Sequence, residues 1–185
     1  MRLIFLAWMF ASVGFAEPVV VDRILLKINE SAFTQRELEN YMLVKAIRRS
    51  NRELVASQQN WESSVQFFKD DMLVYEESRK LRYPVEASTK IVEDARNIFV
   101  TIQTDSELKS LADRLLLSEK AIQNILRMML RVEKFKVEQR DTAMDVIAVP
   151  QKKRVPFLEK RNFIRMYDEA MTYKRIEPSA FKFNK

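Results

Sequence analysis

The feature that most restricts this chain is the absence of glycine at every position after Gly14. Glycine-rich phosphate loops and dinucleotide-binding fingerprints need a backbone without Cβ atoms beside the phosphate, so P-loop and Rossmann sites are excluded. The sequence also contains no cysteine and no histidine, which excludes the common zinc sites, thiol nucleophiles and imidazole bases. We therefore expect no metal, no cofactor and no enzymatic activity. The residue types present do not exclude catalysis by carboxylates alone.

The N-terminus has the pattern of a secretory signal peptide. Arg2 precedes an apolar run over residues 3–15, and Gly14 and Ala16 occupy the small-residue positions of a cleavage site. The run is too short for an ordinary membrane-spanning helix. The alternative to a cleaved signal peptide is an uncleaved N-terminal anchor. We expect residues 1–16 to be a cleaved signal peptide, the mature protein to be periplasmic, and no stable membrane insertion.

The mature chain must be held together by its own apolar core. Removal of sixteen of the 185 residues leaves 169, which is long enough for one substantial core, and lowers the formal net charge from +6 to +5. Because an exported protein without cysteine has no disulfides, packing has to supply its stability.

The clearest local pattern is a strand, a polar turn and a helix start. Ile24–Ile28 alternates in the period of two that is typical of a strand, and residues 29–31 interrupt it with turn-forming side chains. Thr34 and Glu37 have the spacing of a capping box, which predicts a helix beginning directly after Thr34.

Apolar residues at helical spacing predict four further helices along the chain. The longest ends before Pro84, because the residue before a proline avoids the helical conformation. A second capping box, from Thr104 to Glu107, opens a short helix. The expected segments are residues 61–82, 86–100, the stretch after Thr104, and 118–140.

The composition changes after residue 140. Residues 144–149 are a short apolar run that favours a strand paired with Ile24–Ile28, and residues 151–154 are a basic linker. Pro156 suits the first turn of a last helix, whose apolar positions follow. They are Phe163, Ile164, Tyr167, Ala170 and Met171. We expect residues 17–150 to form the helical domain, and residues 151–185 to be the linker and a C-terminal helix packed on it.

This order of elements resembles the N-terminal domain of SurA-type periplasmic chaperones. The strand and turn from Ile24 to Asn29 and the helix start from Thr34 to Leu38 carry the likeness, which extends over about residues 22–140. Glu30 and the serine after it replace the family's turn glycine. The residues after 140 are too few for the parvulin-type isomerase domain that usually follows.

The resemblance implies a fold and a function. The fold is mainly α, a multi-helix chaperone domain with a small N-terminal β element and a C-terminal helix docking back. The implied activity is that of an ATP-independent holdase, which binds unfolded exported or outer-membrane polypeptides without chemistry. The alternative is a non-catalytic envelope adaptor that docks one defined protein partner, with a separately encoded prolyl isomerase as a candidate.

A holdase needs apolar, adaptable surface, and methionine and aromatic side chains supply it because they re-pack against many partners. The alternative is that these side chains fill the core, as such stripes usually do. Adjacent pairs favour surface exposure, since neighbouring helical residues point about 100° apart. The candidate client-binding residues are Tyr41, Met42, Phe67, Phe68, Met72, Met128, Met129 and Phe135.

Charged motifs are interpreted as solvated helix faces. Acidic residues interleave with the basic residues of the last helices, which disfavours a phosphate-binding stripe, and we expect no nucleic-acid partner. Ser106 and Lys109 have a serine–lysine spacing known from penicillin-recognising enzymes, but the partner motifs are missing. The paired carboxylates at residues 70–71 and 76–77 are expected on an exposed face.

Overall fold

A computed structural model of the protein describes residues 22–82, 89–142, 158–160, 162–167 and 171–173, with side chains of the helix at 119–142 described as far as residue 138. All of these residues belong to one compact unit, Asp22–Arg175. The expected signal peptide, the strand expected at 144–149, the basic linker, Pro156 and Ala170 lie outside the described residues.

The described residues form five α-helices, one short 3₁₀ helix and three strands, so the predicted mainly helical fold with a small N-terminal β element is confirmed. In chain order they are β1 (Ile24–Ile28), β2 (Ser31–Thr34), α1 (Gln35–Arg48), the 3₁₀ helix (Arg52–Leu54), α2 (Trp61–Lys80), α3 (Thr89–Thr104), α4 (Ser106–Arg114), α5 (Glu119–Thr142) and β3 (Ile164–Met166).

Asn29 closes the β1–β2 turn in the absence of glycine. Its φ is 53°, in the left-handed region that asparagine tolerates better than most residues. Its side-chain Nδ2 donates to Asn162 Oδ1 at 3.0 Å, and its Oδ1 accepts from the Phe163 backbone N–H at 3.2 Å. The turn is therefore held by the C-terminal segment.

The predicted start of α1 is confirmed. Thr34 Oγ1 accepts from the Glu37 N–H at 3.3 Å, and a Glu37 carboxylate oxygen accepts from the Thr34 N–H at 2.8 Å. This reciprocal pair is a capping box, which satisfies two N–H groups at the helix start. Phe33 and Leu38, on either side of the cap, are both buried.

The predicted C-terminal helix is confirmed only at residues 158–160, which form a helical turn, and it is wrong over Ile164–Met166, which form strand β3. This strand pairs antiparallel with β1, placing Met166 opposite Leu26 and Ile164 opposite Ile28, and the sheet order is β2-β1-β3. Without it, β1 would present an unpaired edge of backbone donors and acceptors. The C-terminal segment thus docks on the N-terminal element as a strand.

The start of α4 also differs from the prediction. Asp105, and not Thr104, is the N-cap residue, and its carboxylate accepts from the backbone N–H groups of Leu108 and Glu107. The backbone hydrogen bond from Leu108, followed by that from Glu107, holds the pKa of Asp105 below its ordinary value. Thr104 is instead the last residue of α3.

Helix α5 packs against α2 and α3, and α1 contacts α2 and α5. The resulting core contains the buried residues of β1 together with one face of each of α1, α2, α3 and α5. Trp61, at the start of α2, is buried, with its ring centroid 5.0 Å from that of Tyr173. The packing of α1, α2 and α5 leaves a cleft at their junction.

Candidate functional site

A cleft of about 360 Å³ opens where α1, α2 and α5 meet. Its volume falls within the roughly 300–1,000 Å³ that is usual for ligand pockets. Its lining residues are Tyr41, Lys45 and Arg48 from α1, Arg49 directly after α1, Phe67 and Asp71 from α2, and Met129, Val132, Glu133 and Lys136 from α5.

A buried carboxylate connects the three helices at this cleft. Asp71 Oδ2 accepts from the Tyr41 hydroxyl and from Lys45 Nζ, each at 2.8 Å, and Asp71 Oδ1 accepts from Lys136 Nζ at 2.6 Å. The Asp71 side chain is only 4% exposed, whereas that of Lys136 is half exposed. Burial of this acid is tolerable because three donors, two of them cationic, satisfy it.

The environment of these groups sets their protonation. Burial acts to raise the pKa of Asp71, but the charges of Lys136 and Lys45 and their hydrogen bonds outweigh burial, so the pKa lies below its ordinary value. Burial lowers the pKa of Lys45, against the opposing charge of Asp71. Burial, and then the charge of Asp71, raises the pKa of Tyr41 well above its usual range, so its hydroxyl stays a donor.

Aromatic rings hold the Lys45 ammonium in place. Lys45 Nζ lies 3.6 Å from the centroid of the Phe67 ring and 5.3 Å from that of Tyr41, which are cation–π distances. The Tyr41 ring in turn meets Phe68 edge-on, with centroids 5.3 Å apart. The cleft is thus a charged site built on rigid aromatic packing.

Positive charge predominates in the lining. Arg48 binds the two carboxylate oxygens of Glu133 at 2.7 and 3.0 Å. Arg49 is exposed, and within the part of the chain that the structure describes no carboxylate lies at ion-pair distance from it. The four basic and two acidic lining residues give a formal charge of +2.

Six of the eight predicted client-binding residues are core residues, the alternative that the sequence left open. Met42, Phe68, Met72 and Phe135 are buried, and Tyr41 and Met129 are buried although they contribute to the cleft wall. Their helix faces point into the packed interior, so they offer little free surface. Of the eight residues, Phe67 is exposed and Met128 is partly buried.

The two members of each adjacent pair differ in burial. Phe67 is 38% exposed, whereas Phe68 is 2% exposed. Met128 is partly buried against the core, whereas Met129 is buried. Since consecutive helical residues point in different directions, one member of each pair is buried, while Phe67 is exposed and Met128 is partly buried.

The solvated face expected for the paired carboxylates of α2 is wrong. Asp71, Glu76 and Glu77 are all buried. A signal for Asp71 is present in the sequence, because it lies three residues after Phe68 and beside Met72, within the apolar stripe. Lys45 likewise follows Tyr41 and Met42 on the inner face of α1.

Ser106 and Lys109, whose spacing is known from penicillin-recognising enzymes, have structural roles in α4. Ser106 is the first residue of α4, and Lys109 pairs with Asp113 at 3.2 Å one turn later. In the described ranges, no three acidic side chains come together in a way that could hold a metal ion. No helix within those ranges combines the length and apolarity needed to cross a membrane.

Comparison with known proteins gives no relative from which to transfer a function. No protein-family model, curated protein or solved structure matches this chain. The likeness to SurA-type chaperones therefore depends on the sequence pattern, and a function has to be argued from the fold and the cleft.

Proposed function

We propose that this protein is an ATP-independent periplasmic chaperone of the SurA-type N-terminal class. It holds unfolded exported polypeptides, outer-membrane proteins among them, and catalyses no reaction. The predicted export signal and the order of elements in the sequence support this proposal. The described fold is compatible with it, because the helical domain and the small sheet occur in the order that the resemblance implies.

The observation that carries the proposal is the exposure of the Phe67 ring beside the cleft. A ring that is 38% exposed presents part of its apolar surface at little cost in conformational entropy. Met129 and Val132 contribute apolar wall next to it. Phe67 is therefore the position at which an unfolded chain would first bury an apolar side chain.

The docking of β3 on β1 supports the family resemblance. In SurA-type proteins the C-terminal segment packs back onto the N-terminal domain, and here Met166 and Ile164 lie opposite Leu26 and Ile28. The element is a strand where a helix was expected. The return of the chain to its N-terminal element is the shared feature.

Further exposed apolar side chains are distributed over several elements. They are Ile24, Leu81, Val92, Val100, Leu116, Val137, Phe163 and Met171. Single exposed apolar residues are common on protein surfaces, so they add weak, dispersed contacts. This distribution makes the cleft the main client site in the proposal.

The second candidate is an envelope adaptor with one defined partner. Two observations favour it: six of the eight expected client contacts are core residues, and the cleft has a fixed ionic lining. Fixed charge selects among partners, whereas a promiscuous holdase relies on adaptable apolar surface.

Suppression of aggregation separates these two functions. The mature chain is added at near-equimolar ratio to several unrelated unfolded exported proteins, and aggregation is followed by light scattering. A holdase lowers scattering for most of them without ATP. An adaptor leaves all of them unaffected and is recovered from the envelope with a single companion, and this outcome would overturn the proposal.

A further inference from the structure

We infer that the cleft binds a side-chain carboxylate of an extended polypeptide segment, together with an aliphatic or aromatic side chain beside that carboxylate. This inference rests on the proposed holding function and specifies which segments of a client are held. The occupant is an acidic–apolar peptide segment, as argued below from charge, exposure and lining chemistry.

The charge of the cleft favours an anion. Asp71 is already satisfied by Tyr41, Lys45 and Lys136, so it offers little to an incoming cation. Lys45 and Lys136 carry two positive charges and Asp71 carries one negative charge, so this cluster has one positive charge in excess. The partly buried setting strengthens the attraction of that excess charge for a carboxylate.

Two cationic groups remain accessible to an incoming carboxylate. Arg49 lines the cleft, is exposed, and has no carboxylate within ion-pair distance among the described residues. The Lys136 side chain is half exposed, and its ammonium is a donor with three hydrogens, one of which is directed to Asp71. Guanidinium and ammonium groups together form charge-assisted hydrogen bonds with carboxylates.

The rest of the lining selects a peptide over other anions. Phe67, Met129 and Val132 add apolar wall, which a free inorganic anion would not use. A segment with one acidic residue between apolar residues matches both parts of the cleft.

Paired peptides test this assignment on the mature chain. The first is a short peptide with one Glu flanked by leucines, with blocked ends and an uncharged dye, so that the Glu carboxylate is its only charge. The second has Gln in place of that Glu. Binding is measured by fluorescence anisotropy for the wild type, for Arg49→Gln and for Arg96→Gln.

Arg96→Gln is the matched control, because Arg96 is an exposed arginine on α3 that is not part of the cleft lining. Both variants remove one positive charge from an exposed position, and circular dichroism verifies that both remain folded. We expect the Gln peptide to bind about tenfold more weakly than the Glu peptide. We expect Arg49→Gln to weaken Glu-peptide binding several-fold, and Arg96→Gln to leave it unchanged.

Three results would overturn the inference: equal binding of the two peptides, equal behaviour of the two arginine variants, or preference for a single-stranded oligonucleotide over the Glu peptide. If aggregation is still suppressed in those cases, the holding function stands and only the assigned client chemistry fails. If Glu-selective binding is found without suppression of aggregation, the assigned site stands and the holding function fails.

Discussion

Lys45 Nζ lies 2.8 Å from Asp71 Oδ2, and this contact joins α1 to α2 with the two side chains only 8% and 4% exposed. A buried ion pair is weak evidence for net stability, because desolvation offsets much of the attraction. Removal of one partner is nevertheless strongly destabilising, since a charge is left buried without compensation. Lys136 extends the same contact to α5, so the geometry of the cleft depends on Asp71.

Replacement of Asp71 should therefore destabilise the whole domain. Asp71→Asn leaves the Lys45 ammonium buried without its counterion, and we expect the free energy of unfolding to fall by about 3 kcal/mol. Urea unfolding at neutral pH measures this. Asp113→Asn, which breaks an exposed pair with Lys109, serves as the control and should cost less than about 1 kcal/mol. Equal losses for the two variants would contradict the role assigned to Asp71.

The same carboxylate should make the protein sensitive to acid. The pKa of Asp71 is lower in the folded protein than in the unfolded chain, where it is about 3.9. The unfolded state therefore binds the proton more readily, and the stability contributed by Asp71 is complete above about pH 4 and decreases as the pH falls below it.

Urea unfolding of the wild type and of Asp71→Asn, repeated from about pH 7 down to about pH 3, tests this dependence. We expect the difference in stability between the two proteins to shrink in acid. Because Asp105 and the other acids are present in both proteins, this difference isolates Asp71. A difference that stays constant over the whole range would show that Asp71 is not the acid-sensitive group.

The turn residue Asn29 should resist replacement for two separable reasons. Asn29→Ala loses the hydrogen bonds to Asn162 and to the Phe163 N–H and also keeps a Cβ at φ 53°, so we expect a loss of about 2 kcal/mol. Asn29→Gly loses the same hydrogen bonds but relieves the backbone, so we expect about 1 kcal/mol. Chemical denaturation of both variants measures these values, and a glycine variant less stable than the alanine variant would refute the conformational argument.

Replacement of the adjacent residues Phe67 and Phe68 should destabilise the protein to different extents. Phe68→Ala removes a buried ring that packs on Phe33 and Tyr41, and we expect a loss of about 3–5 kcal/mol. Phe67→Ala removes a partly exposed ring and one cation–π contact with Lys45, and we expect about 1 kcal/mol. Thermal unfolding of the two variants is the measurement. Similar losses at both positions would mean that Phe67 is a core residue.

The sequence predicted those elements whose stabilising interactions join residues that are close together in the chain. The Thr34–Glu37 capping box identified the start of α1, because its hydrogen bonds join residues three apart. The apolar period identified α2 from Trp61. The strand β3 was missed because Phe163, Ile164 and Tyr167 also have helical spacing, and only the free edge of β1, more than a hundred residues earlier, favours the extended conformation there.

The cleft could not be predicted for a similar reason. Lys45, Asp71 and Lys136 are separated by 26 and 65 residues, and although Lys45 and Asp71 lie within apolar stripes, nothing in the sequence indicates that the three charges meet. Their burial becomes favourable only when the three helices pack together and each charge meets its partner. The apolar candidates were predicted as client contacts, whereas six of the eight are buried in the core.

The most direct test of the holding function compares two exposed apolar residues in the aggregation assay. Phe67→Ser removes the ring at the cleft, and Val92→Ser removes an exposed side chain of α3, 47% accessible, away from the cleft. Light scattering of an unfolded exported protein is recorded with an equimolar amount of the wild type or of either variant. We expect the wild type and Val92→Ser to suppress aggregation and Phe67→Ser to lose most of this effect. Absence of suppression by the wild type, or equal suppression by all three proteins, would contradict this expectation.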